Sequence, residues 1–263
     1  MDKFKFKKKY GQNFLKDNNI IRKIVEGAKI DKNTLVIEIG PGEGALSNLI
    51  IPLSKYAILY EIDRELEEYL NSKLKYDNYS IIWGDFLEAS VEEELKKYEY
   101  DRLYVIANLP YYITTPIISK FIDEGILPDK LVVMMQKEVA NRLKAVPGTK
   151  DYGSLTVFLN YYYDISKLLD VSRNCFVPVP NVDSSVVVMK LRNNREKLKD
   201  EKLFRRLVRD SFQFKRKNLR NNLKNYDLDI ISKVLEKYNF NLDVRAEVLK
   251  LEVFIDIANS LIK

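Results

Sequence analysis

The sequence predicts an α/β fold with a mostly parallel sheet covered on both faces, followed by a smaller helical domain. Three observations predict it. Short β-branched apolar runs alternate with segments of helical spacing through the first part of the chain. Three consecutive apolar runs end in glycine or acidic residues, as the ligand-binding ends of doubly wound strands do. After Arg192 the pattern turns polar, then wholly helical, with leucines and isoleucines set among many cations.

The elements follow in order. Asp17 is placed to cap a helix that carries Ile20, Ile21, Ile24, Val25 and Ala28 at helical spacing. Thr34 to Ile39 reads as a buried strand ending in glycines, with a helix behind it through Leu46, Leu49 and Ile50. Residues 57–60 form the next strand and 64–75 the next helix; 80–83, 103–107 and 131–135 are further strands. Thr115 and Pro116 read as the cap and first residue of a helix, since proline lacks an N–H that the first turn does not need. Residues 155–163 and 185–191 are expected as strands of an antiparallel edge, separated by the proline-marked stretch 176–180. The expected domains are 1–192, with a basic arm over 1–16, and a helical domain over 193–263.

Composition bounds the chemistry. The chain has 263 residues, and 46% of them are hydrophobic, enough for a packed core. The net charge of +6 favours polyanionic partners. There is no histidine, which excludes Ser-His-Asp catalysis, a histidine base and a histidine-ligated metal. The single cysteine, Cys175, excludes an intrachain disulfide and a multi-cysteine zinc site. No apolar run approaches the roughly 20 residues that span a bilayer. The lysines at 3, 5, 7, 8 and 9 have no apolar segment behind them, so they do not read as a signal peptide.

Gly40-Pro41-Gly42-Glu43-Gly44 follows the first buried strand and precedes a helix. Glycines let a ligand approach the backbone and supply dihedrals closed to other residues. The spacing departs from the dinucleotide fingerprint, and Pro41 disfavours a pyrophosphate cradle. Glu61 ends the next strand, at the distance where an acidic residue takes ribose hydroxyls. Asp85 follows the third strand, placed to accept from an exocyclic amine, with Phe86 beside the ring. One acid per position and no phosphate-binding lysine fit an adenosyl ligand better than a triphosphate.

The fourth strand runs into Asn108-Leu109-Pro110-Tyr111. That turn suits alkylation of an amine on a flat ring. The lone pair of such an amine is delocalised, and N–H bonds to the Asn108 amide oxygen and the Leu109 carbonyl draw it towards a nucleophilic geometry. Pro110 stiffens the turn, and Tyr111 offers a stacking face. With a sulfonium methyl donor, positioning for in-line attack carries much of the catalysis without a histidine base.

Taken together, these motifs resemble the small-subunit ribosomal RNA adenine N6,N6-dimethyltransferase family over essentially the whole chain. The residues that carry the likeness are Gly11-Gln12-Asn13-Phe14-Leu15, Glu38-Ile39-Gly40-Pro41-Gly42-Glu43-Gly44, Glu61-Ile62-Asp63, Gly84-Asp85, Asn108-Leu109-Pro110-Tyr111, the run from Phe176 to Ser184 and the run from Lys215 to Leu223. The resemblance implies a Rossmann-like class I S-adenosylmethionine methyltransferase fold and S-adenosylmethionine as cofactor. It implies that Asn13 and Leu15 close over the cofactor, and that Gly40, Gly42, Glu61, Ile62, Asp85, Phe86 and Asn108 contact it. Tyr111 and Phe176 would sandwich the target adenine, Phe176 from a proline-flanked rigid loop.

The resemblance further implies dimethylation of two adjacent adenosines in the loop of the terminal hairpin of small-subunit ribosomal RNA, free or in an assembling 30S particle. Lys215, Arg216, Lys217 and Arg220 lie close together on a predicted helix and would contact phosphates. A cytoplasmic monomer, with no metal and no membrane partner, is expected. Two other readings stand beside this one. One is a resistance methyltransferase acting on large-subunit RNA, against which Gly11, Leu109 and Asp183 speak. The other is an assembly or transcription factor that keeps the fold while binding, not catalysis, matters.

Overall fold

The computed structural model describes residues 13–109 and 113–262. The amino-terminal lysines, Gly11, Gln12, Pro110 and Tyr111 lie outside the described residues. In chain order the elements are β1 (Phe14–Leu15), α1 (Asn18–Ala28), β2 (Thr34–Ile39), α2 (Ser47–Ile50), β3 (Tyr56–Glu61), α3 (Glu67–Lys73), β4 (Tyr79–Trp83), α4 (Val91–Leu95), β5 (Arg102–Asn108), α5 (Thr114–Asp123), β6 (Lys130–Gln136), α6 (Lys137–Leu143), α7 (Ser154–Tyr162), β7 (Tyr163–Val171), β8 (Phe176–Val177), β9 (Ser184–Leu191), α8 (Glu201–Ser211), α9 (Leu219–Asn222), α10 (Leu228–Lys237) and α11 (Leu251–Ser260).

Seven strands form one sheet in the order β4-β3-β2-β5-β6-β9-β7. The five from β4 to β6 are parallel, and β9 runs antiparallel to β6. This is the expected α/β fold with a mostly parallel sheet. β2 is buried at all six positions because helices cover both faces, which is why it reads as a continuous apolar run. On one face Val36, Leu59, Ile106 and Val132 pack with Ile21, Ile24, Val25 and Ala28 of α1. Asp17 caps α1 as expected: its Oδ1 accepts from the N–H of Asn19 at 2.8 Å and of Ile20 at 3.2 Å.

Several expectations are corrected. The helix expected over 64–75 starts as a 3-10 turn capped by Asp63 and ends at Lys73. α5 starts at Thr114 with Ile113 at the cap position, so Thr115 and Pro116 sit inside the first turn. Residues 155–162 belong to α7, not to a strand, and residue 163 begins β7. This short run is apolar almost all round, and such a run carries no periodicity to separate buried helix from buried strand. The edge strand is instead β7, whose polar and charged residues hid it; charges on an edge strand guard against pairing with other chains. Phe176 lies in the short strand β8, not in a loop. β8 pairs antiparallel with β1, Phe14 opposite Val177 and Leu15 opposite Phe176. Residues 14–16 of the expected basic arm are therefore held by backbone bonds to residues 175–177. Lys215, Arg216 and Lys217 follow the end of α8 in a loop, and only Arg220 is helical, on α9.

The chain divides into two compact units, residues 1–140 with 166–191, and residues 141–165 with 192–263. The second unit therefore takes 141–165, which composition had assigned to the first domain. The reason lies in α7. Its Tyr161 ring stands 5.1 Å from that of Phe204 on α8, and the Tyr162 hydroxyl donates to Glu201 at 3.2 Å. Among the described residues no helix is long and apolar enough to cross a membrane.

The cap on α1 gives a direct check. Asp17→Ala should lower stability by about 1 kcal/mol in urea denaturation, while Asp17→Asn, which caps equally well, should stay close to the parent. An unchanged midpoint for the alanine variant would show that α1 is held by packing alone.

Candidate active site

The strand order reverses at β2: the chain runs outward to β3 and β4, then crosses back to β5 on the other side. Strand ends diverge at such a point, and ligands of open α/β sheets bind in the crevice outside them. Ile39 lies opposite Tyr60 on β3 and Ala107 on β5. The next residues, Gly40, Glu61 and Asn108, therefore reach the carboxyl edge of the sheet side by side.

Backbone bonds fix the turn after β2. The Gly40 N–H continues the ladder to the Tyr60 carbonyl at 2.9 Å. Gly40 and Gly42 have φ of +71° and +56°, the left-handed region that favours glycine. Each also has a spatial reason. A Cβ on Gly42 would come within 2.7 Å of the Phe14 ring. A Cβ on Gly40 would meet nothing within 4 Å, so that backbone borders open space.

The open space is a cavity that opens to solvent. Asn13, Glu38, Glu61 and Asn108 give it polar groups, and Leu15, Leu46, Ile62, Leu109 and Phe176 give it apolar walls. Glu61 is 4% exposed. Its Oε2 accepts from the Gly42 N–H at 3.0 Å and its Oε1 from the Asp63 N–H at 2.8 Å. Burial raises its pKa against the pull of these two bonds. The Asn108 Nδ2 donates to the Asn13 carbonyl at 3.2 Å, which leaves the amide oxygen as the end suited to an incoming N–H donor. Leu109 is buried, and its N–H donates to the Met134 carbonyl at 3.3 Å.

Most residues singled out from sequence meet here: Asn13, Leu15, Gly40, Gly42, Glu61, Ile62, Asn108, Leu109 and Phe176 all line the one cavity. Phe176 does so from within the core, at 2% exposure. Asp85 and Phe86 do not line it. Asp85 caps a 3-10 turn by accepting from the Leu87 N–H at 2.9 Å. Phe86, expected beside a ligand ring, is packed between the rings of Tyr60 at 5.0 Å and Phe121 at 5.3 Å.

Glu38 was given no role from sequence, although a carboxylate in a six-residue buried strand was a visible signal. It is 1% exposed, lies in the cavity wall and accepts from the Ser47 hydroxyl at 2.7 Å. Burial pushes its pKa up to about 8, opposed by the Ser47 bond and helped by the nearby charge of Glu61. Glu38 is thus largely protonated at neutral pH.

The model of the ribosomal RNA adenine dimethylase family matches residues 3–263. The chain belongs to that family. It is 42% identical to a protein of Bacillus cytotoxicus named ribosomal RNA small subunit methyltransferase A, over 98% of this chain and 92% of the relative. It is equally 42% identical to the protein of that name from Mycoplasma mobile, over 95% of each. Among solved structures, a dimethyladenosine transferase from Plasmodium falciparum superposes with a TM-score of 0.77 at 26% identity, covering 93% of this chain and 95% of that one. The 23S ribosomal RNA methyltransferase ErmE superposes with a TM-score of 0.71 at 24% identity, over 95% of this chain and 100% of that one, a likeness of fold. The family member described here is a methyltransferase with the class I fold, and its methyl donor is S-adenosylmethionine.

The cavity fits that donor. Open backbone at Gly40, a buried carboxylate at Glu61 and the apolar side chain of Ile62 suit a nucleoside with free ribose hydroxyls. Among the described residues no lysine or arginine lines the cavity to draw a polyphosphate.

The raised Glu38 carboxyl sets a pH test. Between its ordinary 4.5 and about 8 the folded state binds the extra proton, so stability falls as pH rises through that window. Glu38→Gln should remove this fall, and the melting temperatures of parent and variant should diverge with pH. Parallel curves would show that Glu38 does not titrate there.

Proposed function

We propose that the protein transfers methyl groups from S-adenosylmethionine to the N6 amines of two adjacent adenosines in the loop of the terminal hairpin of small-subunit ribosomal RNA, two on each. The observation that carries this reading is the juxtaposition of Gly40, Glu61 and Asn108 at neighbouring strand ends around one cavity. Membership of the ribosomal RNA adenine dimethylase family supports the substrate class.

Each side chain has a task in this reading. Glu61, its carboxylate oriented by two backbone N–H groups, accepts from ribose hydroxyls with its remaining lone pairs. Gly40 and Gly42 let the nucleoside lie against the backbone, under Asn13 and Leu15. The bound donor supplies an electrophilic methyl group on a sulfonium. Asn108, held through its Nδ2 by Asn13, accepts one N–H of the target amine at Oδ1. In the first transfer the Leu109 carbonyl accepts the second, so the nitrogen lone pair is aimed away from the ring; the amine sheds one proton for each methyl it gains, and the monomethylated amine keeps a single N–H for the second transfer. Pro110 stiffens that turn, and Tyr111 and Phe176 hold the ring by stacking. Asp85 shapes the turn after β4 by capping it and lies outside the cavity wall. The target base leaves its stack at a cost of a few kcal/mol, which is smallest in a loop. Lys215, Arg216, Lys217 and Arg220 contact phosphates. The protein acts as a cytoplasmic monomer on RNA that is free or in an assembling 30S particle.

Labelled S-adenosylmethionine and undermethylated small subunits should yield label on that subunit; label on large-subunit RNA alone would select the alternative substrate. Asn108→Ala should lower turnover by roughly 100-fold or more while RNA affinity holds. Unchanged turnover would remove Asn108 from the reaction. Lys215→Glu and Arg216→Glu should weaken RNA binding and reduce its dependence on salt by about one unit of slope per lost contact.

A further inference from the structure

The loop that joins α8 to α9 carries a side chain to which the proposed function assigns no task. Phe214 is 56% exposed, and it is the one phenylalanine of the described residues in the exposed class. It directly precedes Lys215, Arg216 and Lys217, all exposed, and residues 212–218 include no acid. A single exposed apolar side chain is ordinary. This one is distinguished by how firmly its backbone is held.

Asn222, 9% exposed, organises the loop from inside. Its Oδ1 accepts from the Phe214 N–H at 3.2 Å, and its Nδ2 donates to the carbonyls of Ser211 at 2.8 Å and Phe214 at 3.4 Å. The Lys217 N–H adds a bond to the Phe214 carbonyl at 2.9 Å. Two residues earlier, Phe212 anchors the loop, its ring 5.8 Å from Phe254 and 6.1 Å from Tyr152. One ring is seated in the core of the unit and the other stands in water. With the Phe214 N–H and carbonyl both satisfied, the exposed ring is presented by a fixed backbone, so little ordering cost remains for a partner to meet.

We propose that Phe214 is a stacking platform for an unpaired nucleobase of the RNA, with Lys215, Arg216 and Lys217 on the adjoining phosphates. An aromatic face beside cations is the arrangement by which single-stranded nucleic acid is held, the ring taking any base and the cations following the backbone. A duplex, whose bases are already stacked, offers such a ring nothing. The platform thus favours RNA with an unpaired segment. It rests on the RNA-binding reading above.

The experiment uses the full-length protein and two labelled RNAs of equal length and charge, a hairpin with an unpaired loop and flank, and a blunt duplex. Phe214→Ala should weaken hairpin binding by about 5- to 150-fold and leave its salt slope unchanged, because stacking releases no counterions. Duplex binding should not change. Phe214→Trp should keep hairpin affinity, and its emission should be quenched on binding, above the background of Trp83. A loss under twofold, an equal loss on the duplex, a reduced salt slope or an unquenched indole would each overturn the platform. So would retention on anionic phosphatidylserine vesicles that depends on Phe214 while RNA affinity does not. Failure of the parent protein to bind either RNA would sink the RNA reading itself; parental binding with an unaffected alanine variant would sink the platform alone.

Discussion

The site hangs on one buried carboxylate. Glu61 reaches from the end of β3 to the N–H of Gly42 in the turn after β2, and to the N–H of Asp63 in its own turn. Both groups belong to backbone that has left the sheet ladder. Desolvating a carboxylate is unfavourable, and two backbone donors offset part of that cost. The carboxylate therefore holds two adjacent loops at a set separation before any ligand arrives. The turn it steadies is the one whose glycines expose backbone to the cavity, and the register between β2 and β5 brings Asn108 to the same edge. A catalytic strategy that relies on positioning needs such rigidity more than it needs reactive groups.

How far sequence led to this depended on the kind of signal. β2, β3, β5 and β6 were legible because strands covered on both faces read as short unbroken apolar runs between turn signals. The cavity residues were legible because doubly wound sheets bind at strand ends, so glycine and acid at the ends of β2 and β3 point to one place. The same rule misled at Phe86, three residues past the end of β4. Its ring is used up in the contact with Tyr60 and Phe121, which local sequence does not record. α7 was missed for the opposite reason to β7: one is so apolar that period disappears, the other so polar that it resembles a loop. The place of residues 141–165 with the helical unit depends on aromatic packing between distant segments, which composition cannot carry. Glu38 was visible as an acid among aliphatics, but its near-neutral ionisation arises from burial and the bond to Ser47, which only the fold supplies.

The helical unit shows how a basic segment is made into a specific surface. A run of lysine and arginine on a helix would spread its charges around an axis. Here α8 stops at Ser211 and the cations fall in a loop whose inner side is bonded to Asn222. That asparagine is nearly buried and uses both ends of its amide on the loop backbone, so the polar group is satisfied and the loop is rigid at once. The Lys215 ammonium donates to the Lys150 carbonyl at 3.1 Å, while Arg216 and Lys217 extend from the same loop at the surface.

The pairing of β1 with β8 joins residues separated by about 160 positions in the chain. Phe14, Leu15 and Phe176 all face the cavity, so one side of it does not exist until both ends of that pairing are present. During synthesis the glycine turn and the Glu61 carboxylate can form from the first emerging third of the polypeptide, whereas this wall must wait for residue 177 to leave the ribosome. Contacts so far apart in sequence form late and slow a chain's acquisition of its native state. In the proposed reading, this wall of the nucleoside site is therefore the last to be made, after most of the central sheet is in place.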